Sequence, residues 1–142
     1  LQTVRGHREA RAVAGARGLP AVSTLEALAE RLARELPAGA PVMSNLGPTL
    51  AWYARRPVVH LALTPADVDA CRYRLDVRHV LLAFQGPERA WGDWSDVVAR
   101  PEDAARHPEW NVARAERWPS EDGFQVVWLE LGPLQPRFAS RR

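Results

Sequence analysis

The first regular pattern along the chain is a set of leucines. Leu25, Leu28, Leu32 and Leu36 recur at helical spacing and form one apolar stripe, with Glu30 and Arg34 placed as an i,i+4 ion pair on the other side. Ser23-Thr24-Leu25-Glu26 fits a capping box at the start of that helix, and Pro37 and Gly39 end it. Two short apolar runs follow, Val42-Met43 and Val58 to Leu63, separated by Ser44-Asn45, a Gly47-Pro48 start signal and a compact segment ending Tyr53-Ala54-Arg55-Arg56-Pro57. This spacing predicts a strand, a short helix and a strand. Pro48 suits the first helical turn, and Pro57 drives Arg56 out of helical conformation. Strands joined by so short a helical connection are expected to lie parallel.

Thr64-Pro65-Ala66-Asp67 is a second start signal and predicts a helix from Pro65 to about Arg74. Val77 to Phe84 is a near-continuous apolar run, the mark of a strand buried on both faces. Residues 85–119 then change character. They hold Trp91, Trp94, Trp110 and Trp118 among prolines and charges, and read as a long excursion with a short helix near Trp94 or Ser95 and an acidic first turn at Pro101-Glu102-Asp103. Four indoles in one such region are expected to pack partly on something outside these residues. Glu121-Asp122-Gly123 turns the chain into a last strand, Phe124 to Leu131. Alternating helices and strands predict a three-layer, Rossmann-like α/β domain over residues 21–134, with a mostly parallel sheet of about four strands. Residues 1–20 read as a linker or basic arm with a weak helical segment at Arg8 to Ala14, and 135–142 as a tail.

Composition narrows the class. With 142 residues, 46% hydrophobic and 25% charged, the chain has the make-up of one ordinary globular domain. No uninterrupted apolar run exceeds five residues, far below the roughly 18 that suggest a membrane-spanning helix, and no secretory signal is recognised. A lone cysteine, Cys71, makes no intramolecular disulfide and reads as a packing residue. All nineteen basic residues are arginine, for a net charge of +2, and the positive residues concentrate at the ends in Arg5, Arg8, Arg11, Arg17, Arg137, Arg141 and Arg142. A first residue of Leu1 is what a piece cut from a longer protein would show.

The common catalytic signatures are missing from the sequence: there is no Gly-x-Ser-x-Gly elbow, phosphate loop or His-Glu-x-x-His. Asp67-Val68-Asp69 resembles a metal-binding Asp-x-Asp, but on a helix its carboxylates point about 200° apart and read as capping and solvated groups. His60 and His79 fall in neighbouring strand segments and read as structural histidines, with no third ligand at a supporting spacing. No cofactor is implied. Ser44 and Asn45 stand where the first strand stops, the place where open α/β sheets gather ligands, while Asn45 equally suits a helix cap. Trp52-Tyr53-Ala54-Arg55-Arg56 groups rings and guanidiniums on one short helix, with Trp52 expected in the core against the sheet.

At Met43-Ser44-Asn45, followed by Leu50-Ala51-Trp52-Tyr53, Arg56-Pro57 and the Val58 to Leu63 strand, the chain resembles the soluble C-terminal region of family 39 type membrane glycosyltransferases. These are relatives of the polyprenyl-phosphate-mannose protein mannosyltransferases and the lipid A aminoarabinose transferase. Coverage runs over residues 22–84, with Phe124 to Leu131 as a last strand. The resemblance implies a membrane-attached accessory domain on the extracytoplasmic side, whose partner is the membrane-embedded, catalytic portion of the same polypeptide and which stands near a lipid-linked sugar or an acceptor. No catalytic residue of the family falls on this chain, and Ser44, Asn45, Tyr53, Arg55 and Arg56 are the candidate contacts. The alternative is a cytoplasmic α/β module binding a nucleotide or nucleic acid through its arginine-rich ends and the helix N-terminus after Asn45. The accessory-domain reading expects no specific nucleic-acid complex.

Overall fold

The computed structural model describes residues 18–136. The arginine-rich segments 1–17 and 137–142 lie outside them, together with the helix expected at Arg8 to Ala14. Leu19 already packs against the core, so the folded unit is under way a little before residue 21.

The elements are α1 (Val22–Glu35), β1 (Val42–Ser44), α2 (Pro48–Ala54), β2 (Val58–His60), a 3-10 turn (Pro65–Asp67) running into the single-turn α3 (Val68–Cys71), and β3 (His79–Phe84). A 3-10 turn (Pro87–Arg89), α4 (Trp94–Ala99), two further 3-10 segments (Pro101–Arg106 and Pro108–Trp110), β4 (Val112–Trp118) and β5 (Gln125–Leu131) complete the chain. The α/β class and the strand-helix-strand unit agree with the sequence pattern. The sheet does not agree in full. It has five strands in the order β2-β1-β3-β5-β4, with β1 parallel to β2 and β3, while β5 is antiparallel to both β3 and β4.

The cause is β4. Its sequence, VARAERW, carries three charges in seven residues and is only partly buried, so no apolar run announces it inside the expected excursion. Once β4 exists, the short turn through residues 119–124 can only return an antiparallel neighbour, since a parallel one needs a crossover of a dozen or more residues. A mostly parallel, Rossmann-like sheet is therefore replaced by a mixed one.

Both faces of the sheet are covered. On one, Leu81 and Ala83 of β3 and Val126 and Trp128 of β5 pack with Leu25, Leu28 and Leu32 of α1 and Leu50 of α2. On the other, Val80, Leu82, Val127 and Leu129 pack with Val68, Trp94, Val97, Val98, Ala104 and Trp110. Alternate residues of one strand serve opposite layers, which is why β3 and β5 read as continuous apolar runs.

This second layer corrects the tryptophan expectation. Trp94 and Trp110 are buried in it, Trp118 is buried in the α1-side layer, and the Trp94 indole N–H donates to the Ala62 carbonyl at 2.8 Å. Trp91 is half-buried, edge-on to Phe84. Only short helical pieces cover that face, so large rings fill the space that a long helix would otherwise occupy. Trp52 is the reverse case, 81% exposed instead of in the core. Leu50, Tyr53 and Ala54 all pack inward, and a residue two positions from Leu50 lies about 200° around the helix.

The start of α1 also differs. Ala21, not Ser23, is the N-cap, and no side chain of the helix caps it. The task falls to Asp122 in the β4–β5 turn, whose Oδ2 accepts the Ala21 N–H at 2.9 Å. Burial pushes the Asp122 carboxyl up, but bonds from Ser120, Ala21, Thr24 and Phe124 outweigh it and hold the group below its ordinary 3.8. The carboxylate thus ties the hairpin turn to the first helix.

At the opposite seam sits a buried cation. Arg72 is 1% exposed and donates from Nε to Asp69 Oδ1 at 2.7 Å, from one terminal nitrogen to the Val77 carbonyl at 2.7 Å, and from the other to the Gly132 carbonyl. Asn111, in the left-handed region at φ 54°, donates to Asp69 Oδ2 at 3.0 Å and to the Pro133 carbonyl at 2.9 Å. Its own carbonyl accepts the Gly132 N–H, and a Cβ at Gly132 would collide with Asn111 Oδ1. Asp69 is therefore a buried ion-pair partner and not the solvated group expected, while Asp67 accepts from Thr64 Oγ1. The helix expected to reach Arg74 stops at Cys71, where Arg72 begins to face inward.

Replacing Arg72 with Met strands the Asp69 charge and two carbonyls. We expect a loss of about 3–5 kcal/mol, read as a lower urea midpoint at unchanged slope. A loss below about 1 kcal/mol would show that the cluster is not what joins the two halves.

Candidate functional site

The five sequence candidates do not form one site. Ser44 is fully buried, and its Oγ accepts the Leu46 N–H at 3.1 Å, closing the turn that ends β1. Asn45 reaches sideways to β3, with Oδ1 accepting the Ala83 N–H at 2.9 Å and Nδ2 donating to the Ala83 carbonyl at 2.8 Å. Its amide thus imitates a further residue of β1, beyond the Ser44–Leu81 pair where the ladder stops. Asn45 does not cap α2. Gly47 does, at φ 52°, ψ −130°, a region that disfavours side chains.

Arg56 is also committed to the scaffold. It is 8% exposed and donates to the carbonyls of Ala40 at 3.1 Å and Pro37 at 3.3 Å, which holds the loop after α1 onto the end of α2. Tyr53 packs against the α1-side core. Arg55, exposed and left-handed at φ 52°, ends α2. Of the five candidates only Arg55 is both charged and exposed.

The two histidines are not neighbours. β1 lies between their strands, with His60 opposite Ser44 and His79 opposite Val42. His79 stacks on Trp128 with ring centres 5.5 Å apart, and Trp128 stacks on Trp118 at 5.7 Å. Arg114 covers the Trp128 ring at 4.7 Å and Arg31 covers Trp118 at 4.4 Å, so rings and guanidiniums interleave beneath α1. Burial lowers the His79 pKa; the nearby Glu130 acts the other way, and the positive charges of Arg56, Arg78 and Arg114 add to the lowering. The ring is held neutral and structural. Among the described residues no group of three His, Cys, Asp or Glu side chains could hold a metal ion, and no helix is long and apolar enough to cross a membrane.

A cavity of about 230 Å³ lies elsewhere, lined by Asp96 and Arg100 around α4, by Asp103 and Ala104, and by His107 and Trp110. The His107 ring stacks on the Trp110 indole with centres 3.9 Å apart and planes 17° from parallel. Asp103 faces two guanidiniums, Arg106 at 3.2 Å and Arg100 at 3.9 Å, while His107 Nδ1 lies 3.2 Å from Glu109 Oε1. The Glu109 carboxyl is held below its ordinary range, first by a backbone hydrogen bond and then by His107. Sequence reasoning missed this site because its residues come from three short helical pieces. The His107/Trp110 i,i+3 spacing was the available signal, and it was obscured because Pro108 breaks the run.

No family model, curated protein or solved structure matches the chain.

The role of Asn45 is open to a direct check. Asn45→Ala leaves the buried Ala83 N–H and carbonyl without partners, and we expect a loss of about 1–3 kcal/mol in urea unfolding. An unchanged midpoint would mean that the side chain is free for a ligand.

Proposed function

We propose that this chain is an extracytoplasmic accessory domain of a polytopic membrane glycosyltransferase that uses a polyprenyl-phosphate sugar donor, with the chemistry carried out in the membrane-embedded portion of the same polypeptide. The observation that carries the proposal is the way α2 divides its side chains. Leu50 and Tyr53 pack inward and the adjoining Arg56 is buried, while Trp52 stands 81% exposed with Arg55 beside it in solvent. A bare indole next to a guanidinium suits the boundary between headgroups and water, where amphipathic rings and cations both gain. The Trp52 face of α2 is turned toward the membrane-embedded portion in this reading.

The unit on which the family resemblance rests is consistent with this reading: β1, α2 and β2 follow one another in that order, although β2 takes up only Val58–His60 of the expected Val58 to Leu63 run. A nucleotide or nucleic-acid module would draw on the arginine-rich ends, which lie outside the described residues, and on the start of α2, where Asn45 is already engaged with Ala83.

The isolated chain should transfer no sugar from a polyprenyl-phosphate donor. Trp52→Ala should change its stability by less than about 0.5 kcal/mol, as an exposed position does, yet lower transfer by the full-length parent. Turnover by the isolated chain, or full activity of the parent carrying Trp52→Ala, would contradict the proposal.

A further inference from the structure

We infer that the cavity beside α4 is a binding site for one neutral, polyhydroxylated six-membered ring of the pyranose type. The inference stands on the cavity alone and does not depend on the parent protein being a membrane enzyme.

Size comes first. At about 230 Å³ the space falls just under the roughly 300 Å³ at which sites for drug-sized ligands begin, which favours a single ring over a nucleotide. The lining then sets the chemistry. Asp96 and Asp103 offer carboxylate acceptors, Arg100 offers a fork of donors, and His107 can do either, the mixture that vicinal hydroxyls need because each both donates and accepts. The partly exposed His107 ring, stacked on the buried Trp110 indole, adds a flat ring surface suited to the C–H face of a sugar ring.

Charge argues against other occupants. Asp103 is shared between Arg100 and Arg106, and His107 is drawn to Glu109, so the site has little net attraction for a small anion or cation. A multidentate metal ion is disfavoured, since no group of three suitable ligands occurs among the described residues. The floor is already fixed. Ala104 and Trp110 belong to the core cluster, so the wall stands before any ligand arrives, while the Arg100 side chain is 66% exposed and can close over it.

The experiment is a titration of the 142-residue chain with methyl hexopyranosides, followed by the NMR signals of the His107 ring and the Trp110 indole. Saturable shifts at both, with a millimolar Kd, are expected. Asp96→Asn and Arg100→Gln alter exposed side chains, should leave the urea midpoint unchanged, and should each weaken binding by about tenfold, as the loss of one charge-assisted hydrogen bond does. Three results would each overturn the assignment: no saturable shift with any glycoside, unchanged affinity in both variants, or shifts of the same residues at lower concentrations of inorganic phosphate or methylammonium.

Discussion

One buried guanidinium joins the two halves of this sheet. Arg72 leaves the end of α3, pairs with Asp69, and donates to a carbonyl just before β3 and to another just after β5. Asn111, at the start of β4, completes the shell of Asp69. A parallel unit and an antiparallel hairpin are thus fixed at the same corner by groups with almost no water around them. An ion pair so deep is costly to desolvate, and its worth lies in its hydrogen bonds being complete. Asp122 does the equivalent at another corner, joining the hairpin turn to the start of α1.

Much of the fold was legible because it is written in local patterns. The leucine stripe of α1, the Gly47-Pro48 start and Pro57 stop around α2, and the apolar runs of β3 and β5 each specify an element within a few residues. What was not legible depends on partners distant in sequence. β4 is an edge strand with three charges in seven residues and is recognisable only beside β5. Asp69 and Arg72 look like a solvated helical pair until residues 111 and 132 are brought against them. Trp52 is a different lesson, since the helical period that places it opposite Leu50 was present in the sequence and the preference for burying an indole outweighed it.

The candidate site was less legible for the same reason. Ser44, Asn45 and Arg56 occupy the positions where an open α/β sheet would present ligands, yet each is consumed by backbone groups of a neighbouring segment. More exposed polar groups are found where local signals are weak: on the outer face of α2, and around the cavity that Asp96, Arg100, Asp103 and His107 line between short helical pieces. A scaffold whose polar groups are tied down in this way is consistent with the proposed domain, which positions partners while the bond-making steps occur elsewhere.

That division of labour is tested most directly by the native gene product. Its mass and sequence ahead of Leu1 should reveal several apolar stretches of about 20 residues, enough to build a membrane-embedded catalytic portion. A native product that begins close to Leu1, with no such stretch before it, would contradict the account.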